Sequence, residues 1–308
     1  MLQRRELHGW DRRWSDIDAA GGLFFAAPGS DVEDVRREIV ARNIRSFDTD
    51  LRDIAWLADL PIEYLFLRDV GDASAVNTLT RLRGLAVGTW DGDIAFARLP
   101  DLEWFGVVEV EQGQLDGLWE HGHQGLRVLS VGRYREPDLD ALERLPQLED
   151  LAITDSRALK SLAGVKRLSR LQRLDLAICP YLGSLDGLDG AIGLESFVMA
   201  TCNKIDDLGP VAELPNLRVV QIDQRKPPSL VPLVGHRTLE FVWIIGGNPP
   251  GWEAEALLEN GSLRMLNVRR ESWMRPETEW VHFESIYTVT PAEVEVYFGL
   301  LDELNRLK

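Results

Sequence analysis

Two cysteines and one pair of histidines are the residues whose types and spacing come closest to a chemical site. Cys179 and Cys202 lie 23 residues apart, and His121 and His123 flank a single glycine. Thiolates and imidazoles bind zinc, and a thiolate is also a nucleophile. A structural zinc site needs about four ligands, however, and neither pair has further ligands at a suitable spacing. We therefore expect no metal site, and we place the histidine pair in a surface loop.

Sequence motifs of the common enzyme classes are missing as well. The chain contains no phosphate-binding loop, no G-x-S-x-G nucleophile elbow and no H-E-x-x-H metal motif. Its Asp and Glu residues are scattered, as expected for helix caps and solvated faces. The sequence thus predicts a protein that is not an enzyme and that uses no cofactor.

The composition bears on the compartment and on the class of partner. The chain has 308 residues, and its 50 acidic and 34 basic residues give a net charge of −16. This charge argues against nucleic-acid binding, which relies on Lys and Arg. It is compatible with a basic partner, and it is also explained by a need for solubility alone. No apolar run reaches the roughly 20 residues of a membrane span, and no signal core is present, so we expect a cytoplasmic protein. Of the basic residues 29 are Arg and five are Lys, a composition typical of bacterial sources.

An internal repeat must position these side chains. The string L-x-x-L-x-L at 148–153 recurs in both directions along the chain, at steps of 20 to 24 residues. Alternate residues of a strand share one side, so the fourth and sixth residues of each copy should be buried, and stacked copies should form the core that one copy lacks. The copies begin at Ile62, Leu82, Leu102, Leu126, Leu148, Leu171, Leu194, Leu217, Leu239, Leu263 and, more loosely, Phe283, with Ile44 as a degenerate first copy.

This repeat resembles the leucine-rich-repeat family, in the 22–24-residue form of internalin-like and phosphatase-regulator-like proteins. The resemblance covers residues 44–290. It implies an α/β repeat fold, a single right-handed solenoid with a curved parallel sheet and with short helices or 3₁₀ turns on the convex side.

The resemblance also implies a structural role for Cys179 and Cys202, because the family has Asn or Cys at this position, where the side chain bonds the backbone of a buried turn. Adjacent strands would bring the two thiols near one another, so a disulfide is geometrically conceivable, although a cytoplasmic location disfavours it. A reactive role is the remaining alternative.

Both ends of a solenoid need a cover. A capping box beginning at Ser30 predicts a helix over about 31–42 that shields the first strand, and Thr290 followed by Pro291 predicts a second helix over about 291–306. The predicted organisation is an N-terminal segment with a capping helix (1–43), the solenoid (44–290) and a C-terminal capping helix (291–308). Recruitment of a partner by either helix is the alternative role.

Positions three, five and seven of each copy should face the concave side of the sheet. Bulky apolar residues occur there near both ends, with small residues between them. Exposed apolar patches and aromatic anchors mark contact sites, so we expect a protein or peptide to bind here; cover by loops or terminal segments is the alternative. The predicted binding residues are Tyr64, Phe66, Trp104, Phe241, Trp243, Ile245 and Met265.

Position two alternates in charge from copy to copy. Opposite charges on adjacent strands attract weakly, so this column predicts a ladder of ion pairs along one rim and fixes the alignment of neighbouring copies. The column reads Arg45, Glu63, Arg83, Glu103, Arg127, Glu149, Gln172, Glu195, Arg218, Glu240, Arg264 and Glu284.

Together these observations predict a non-enzymatic intracellular scaffold that binds a protein on its concave face. Two alternatives stay open: an immunity or inhibitor protein that masks a basic toxin or nuclease, and a regulatory subunit of an enzyme complex. An enzyme site in the flanks 1–43 or 270–308 is a further class, but these flanks are short and carry no motif.

Overall fold

The repeat determines the fold, because each copy forms one strand followed by a short return segment. The computed structural model describes residues 2–5, 17, 19–26 and 29–268, together with the backbone of 271–274 and 281–283. These residues fall into two compact units. The first unit comprises residues 1–133 and 144–148, and the second comprises residues 134–143 and 149–308.

The first unit contains six parallel strands that follow an antiparallel N-terminal strand. β1 pairs antiparallel with β2, and each later strand pairs parallel with the one before it. The strands are β1 (Leu2–Arg5), β2 (Leu23–Ala26), β3 (Ser46–Thr49), β4 (Tyr64–Asp72), β5 (Gly84–Asp91), β6 (Trp104–Val107) and β7 (Val128–Gly132).

The second unit also contains six parallel strands, and these are followed by an antiparallel end. β8 to β13 run parallel, and the chain then turns back into β14 and again into β15. The strands are β8 (Asp150–Thr154), β9 (Arg173–Ala177), β10 (Ser196–Ala200), β11 (Val219–Asp223), β12 (Phe241–Ile245), β13 (Met265–Val268), β14 (Glu271–Met274) and β15 (Val281–Phe283).

Short helices and 3₁₀ turns return the chain from one strand to the next. The α-helices are α1 (Val32–Arg42), α2 (Asp116–His121), α3 (Gly209–Ala212) and α4 (Gly251–Leu257). The 3₁₀ helices are Ala55–Leu57, Ala73–Thr78, Phe96–Arg98, Asp140–Arg144, Val165–Arg167, Leu188–Gly190 and Val231–Leu233. Among the described residues, no helix combines the length and apolar character that crossing a membrane requires.

The strand alignment confirms the repeat. Equivalent positions of neighbouring copies face one another, as Tyr64 faces Gly84 and Asp150 faces Arg173. From the copy at Ile62 to the copy at Leu263, the fourth and sixth residues are buried, with at most 8% of any of these side chains exposed. The chain is the leucine-rich-repeat solenoid that the sequence predicts, with its core built from one apolar layer per copy.

The two ends differ from the predicted ones. β2 was not predicted. It places α1 between the parallel strands β2 and β3, and Arg36 of this helix donates to the carbonyl of Ala58 at 2.9 Å. The helix is therefore a crossover connection, not an end cap, and its N-cap is Asp31 in place of Ser30. At the other end the parallel strands stop at β13, and Phe283 lies in an antiparallel strand. The predicted helix over 291–306 lies outside the described residues.

Candidate functional site

The candidate site lies on the sheet face formed by positions three, five and seven of the copies, called here the outer face. Because residues four and six point into the core, these three positions point the opposite way. The side chains on this face differ in kind between the two units.

In the first unit the outer face is an aromatic layer. Tyr64 and Trp104 are buried, and the rings of Phe66 and Trp104 lie 5.5 Å apart. Both Tyr64 and Trp104 lie against Gly84, where an added Cβ would come within 2.7 Å of Tyr64 and 2.6 Å of Trp104. Gly84 therefore supplies the space that these two large rings fill.

The N-terminal segment packs on this aromatic layer. Ile17 and Leu23 form a buried cluster with Tyr64, and Ala20 and Phe66 pack against it. Arg45 also donates to the carbonyl of Ala19. Two of the predicted binding residues, Tyr64 and Trp104, are thus buried within the chain's own packing, and Phe66 is only partly exposed.

In the second unit the predicted binding residues divide into two groups. Phe241 and Met265, at position three, are each 1% exposed, and Arg264 lies over the Phe241 ring at 5.6 Å. Trp243 and Ile245, at positions five and seven of the same copy, are partly exposed. An aromatic and an aliphatic side chain therefore remain accessible side by side on β12.

Polar groups occupy the middle of the second unit's outer face. Arg173 donates to Asp150 at 2.9 Å, across β8 and β9. Asp175 lies two residues further along β9, and its carboxylate has no ion pair or side-chain hydrogen bond within the described part of the chain. Burial, and then the charge of Asp150, raises the pKa of Asp175 to about 6.

Two further polar atoms on this face are buried without a hydrogen-bond partner among the described residues. They are the hydroxyl oxygen of Ser196 on β10 and the side-chain carbonyl oxygen of Gln221 on β11. Buried polar groups are nearly always paired, and leaving one unpaired costs roughly 1–3 kcal/mol. These atoms and Asp175 lie on three successive strands.

The two cysteines are buried free thiols in the second unit. Cys179 donates to the carbonyl of Ala177, and Cys202 donates to the carbonyls of Ala200 and Leu176. A hydrogen bond with Cys202, together with burial, raises the pKa of the Cys179 thiol. Ser156 occupies the same position in its copy and likewise bonds turn backbone. Thiols placed in this way hold the turns together, and the raised pKa of Cys179 disfavours its nucleophilic thiolate.

The two histidines lie in different surroundings, one at the end of a helix and one in the core. His121 ends α2 and is exposed, whereas His123 is buried and is not in a surface loop. His123 bonds the carbonyl of Leu99 through Nε2 and accepts from the amide of Gly125 through Nδ1. Both ring nitrogens of His123 therefore form hydrogen bonds with backbone groups. His236 makes the equivalent pair of bonds in the second unit, and burial lowers its pKa.

Four of the rim pairs that the alternating column predicts are seen in the described residues. In the first unit Arg45 pairs with Glu63 and Arg83 with Glu103. In the second unit Glu240 accepts from Arg218 at 2.7 Å and pairs with Arg264 at 3.4 Å. All these side chains are partly exposed, so the pairs support strand alignment more than stability.

Metal binding has no support in the described residues, which contain no group of three or more His, Cys, Asp or Glu side chains suited to hold an ion. Sequence reasoning missed Asp175, Ser196 and Gln221, because it ranked outer-face positions by aromatic content. The available signal was an acid at position five whose neighbours at that position, Ala152 and Val198, are apolar.

Comparisons with known proteins agree with the fold. No family model matches the chain. A 96-residue stretch is 40% identical to acidic leucine-rich nuclear phosphoprotein 32-related protein 1 of Oryza sativa subsp. japonica. The aligned stretch covers 30% of this chain and 20% of that protein. The chain thus spans about a fifth of the length of this curated relative.

One solved structure shows the same architecture at low identity. An internalin of Listeria monocytogenes aligns with a TM-score of 0.51 at 18% identity, covering 69% of this chain and 70% of the internalin. TLR13, solved in complex with ssRNA13, aligns with a TM-score of 0.48 at 19% identity, covering 77% of this chain and 41% of TLR13.

Proposed function

Because the chain is a leucine-rich-repeat solenoid, we propose that it is a non-enzymatic binding protein that engages a protein partner through the outer face of its second unit. The observation that carries the proposal is the accessible pair Trp243 and Ile245 on β12, beside buried Phe241 and Met265. Trp is the residue most often found as an energetic anchor in protein interfaces.

Small side chains elsewhere on the same face favour close approach of a partner. Ala152, Ala177, Val198 and Ala200 occupy outer-face positions on β8 to β10 and are all partly exposed. A surface of this kind is low in conformational entropy, so little is lost when it is covered. The support for a protein in preference to a nucleic acid is the net charge of −16, since phosphate binding requires Lys and Arg.

We place this function inside the cell. The support is that Cys179 and Cys202 are free thiols although they lie at equivalent positions of adjacent copies. In an oxidising compartment such neighbours are candidates for a disulfide. An intracellular location keeps both thiols available for the turn hydrogen bonds.

Affinity capture from the native cell tests the proposal. The bait is the full chain, and the matched variants are Trp243→Glu and Trp252→Glu, since Trp252 is 61% exposed in α4 and lies off the outer face. We expect wild type and Trp252→Glu to retain the same nuclease-resistant protein, identified by mass spectrometry, and Trp243→Glu to lose it. Retention by Trp243→Glu, or loss of the captured material after nuclease treatment, would contradict the proposal.

A further inference from the structure

We infer that the middle of the second unit's outer face is a subsite for an arginine side chain of the protein partner. The subsite is formed by Asp175, Ser196 and Gln221, with Trp243 at its edge. This inference rests on the proposed function and specifies the chemistry that the partner must present.

Asp175 is an acid with no cation paired to it among the described residues. Its neighbours at position five are Ala152 on β8 and Val198 on β10, and neither can donate a hydrogen bond. The nearest basic residue on the same strand, Arg173, is paired with Asp150. A carboxylate that is partly buried beside another carboxylate is costly unless a cation reaches it.

Ser196 is an independent observation that points to a missing ligand. The side chain is 1% exposed, and its oxygen has no hydrogen-bond partner within the described residues. It lies on β10, the strand between Asp175 and Gln221, and on the same face as both. The buried oxygen of Gln221 is likewise unpaired among the described residues. Three acceptors on neighbouring strands therefore await a ligand that carries several donors.

A guanidinium group fits these acceptors better than an ammonium group does. Asp175 and Gln221 are two strands apart, about 10 Å between Cα atoms, so side chains pointing out from them can meet a group placed between them. Guanidinium is planar, carries five N–H donors and stacks on aromatic rings. Trp243 lies beside Gln221 on the adjacent strand and offers such a ring.

Ion pairing at this subsite should depend on pH in a defined direction. The charged groups that share this part of the face with Asp175 are Asp150 on β8, Arg173 on β9 and Asp223 on β11, while β10 contributes none. Since the pKa of free Asp175 is about 6, a cation binds more tightly as pH rises through 6. Affinity should increase about tenfold between pH 5 and pH 7 and change little above that.

The test uses N-acetyl-arginine amide as the probe and follows side-chain nitrogen signals by NMR. We expect saturable shifts of the Trp243 indole and Gln221 amide signals with the arginine derivative, and none with the neutral isostere N-acetyl-citrulline amide. Asp175→Asn should weaken binding at least tenfold, and Gln221→Met several-fold. Asp186→Asn, which removes an exposed acid from a return segment, should have no effect.

Three results would overturn the inference: no shift with the arginine derivative, shifts unchanged in Asp175→Asn, or equal binding of N-acetyl-lysine amide. The outcome is separable from that of the proposed function. If partner capture depends on Trp243 but the arginine derivative does not bind, the binding function stands and the arginine subsite is wrong. If the derivative binds at Asp175 but capture ignores Trp243, the subsite stands and the proposed partner surface is wrong.

Discussion

The outer faces of the two units are built from the same repeat positions but have different roles. In the first unit, Tyr64, Phe66 and Trp104 fill the space above Gly84 and are packed by Ile17. The hydroxyl of Ser46, at position three of the copy at Ile44, is also buried on this face without a partner among the described residues. In the second unit, Asp175 and the oxygens of Ser196 and Gln221 lack partners among the described residues. Aromatic packing dominates the first face, whereas the second face carries an unpaired carboxylate together with two unpaired oxygens, and these groups cost stability. Stability given up in this way is a common mark of a functional surface.

The comparison also shows which side chains identify a binding face. Large aromatic residues occur on both faces, and in the first unit they serve the chain's own packing. An unpaired carboxylate with two unpaired oxygens on successive strands distinguishes the middle of the second face, since an isolated unpaired hydroxyl, that of Ser46, also occurs on the first face among the described residues. A partner can satisfy such groups, so they are a more specific sign of a binding surface than aromatic content is.

The largest expected effect is a loss of stability on enlarging Gly84. Gly84→Val should lower the free energy of unfolding by about 3 kcal/mol, because the new side chain would collide with Tyr64 and Trp104. Native-state hydrogen exchange of β4 to β6 would measure the loss. The control is Gly117→Ala in α2, where nothing lies within 4 Å of an added Cβ. A Gly84→Val protein as stable as wild type would show that the first face is not packed.

Removing the charge of Asp175 should instead raise the free energy of unfolding. The pKa of this group is about 6 in the folded chain against 3.8 for an unperturbed Asp. Between these values the native state retains a proton that the unfolded state has lost, so wild-type stability falls as pH rises through this window. Asp175→Asn should therefore be more stable than wild type by about 1–2 kcal/mol at pH 7.5, after allowance for partial exposure.

The gain from Asp175→Asn should shrink to a fraction of its size near pH 4, where Asp175 is protonated in the native state and only partly ionised in the unfolded state. Urea denaturation at the two pH values measures both differences. Asp186→Asn should show no gain at either pH. A gain of equal size at pH 4 and pH 7.5 would mean that desolvated charge is not its cause.

A smaller gain is expected at the edge of the second face. Ile178 has φ of 55°, a left-handed conformation that disfavours a β-branched residue, and it is 45% exposed. Ile178→Asn should raise the free energy of unfolding by about 1 kcal/mol, because Asn tolerates this conformation. Ile192→Asn is the control, since Ile192 is exposed and is not among the residues with positive φ. Equal effects of the two substitutions in urea denaturation would refute strain at Ile178.

The smallest effect should be shared by both units. Double-mutant cycles on Arg83 with Glu103 and on Arg218 with Glu240 should each give a coupling energy below about 1 kcal/mol, because the pairs are exposed to solvent. Coupling should fall at high salt. A coupling of several kcal/mol in only one unit would show that the rim, and not the outer face, distinguishes the two.

Most of the fold could be predicted because it follows from one repeated pattern. The period-two burial of leucines from Ile62 to Leu263 places eleven strands, once Ile44 is included, and the alternating rim charges align them. β2 could not be predicted in this way, because Leu23–Ala26 lacks the L-x-x-L-x-L spacing. Pairing with β3 makes it a strand, and this is a tertiary effect that local pattern does not report.

The candidate site was harder to predict than the fold. Trp243 and Ile245 could be named from the sequence, because their positions in the repeat determine which way they point. The burial of Tyr64 depends on Ile17, which is far away in sequence and belongs to no repeat copy. The importance of Asp175 depends on its neighbours Ala152 and Val198, whose side chains provide no hydrogen-bond donor. Such neighbours on adjacent strands can be identified only once the strands are aligned.

Oxidative footprinting of the complex with the captured partner tests the central claim most directly. Hydroxyl radicals modify accessible Trp and aliphatic side chains, so protection on binding locates the interface. We expect partner binding to protect Trp243 and Ile245, while Trp252 in α4 is oxidised equally in the free and bound protein. Protection of Trp252 with unchanged oxidation of Trp243 would contradict it, because the partner would then occupy a different surface of the second unit.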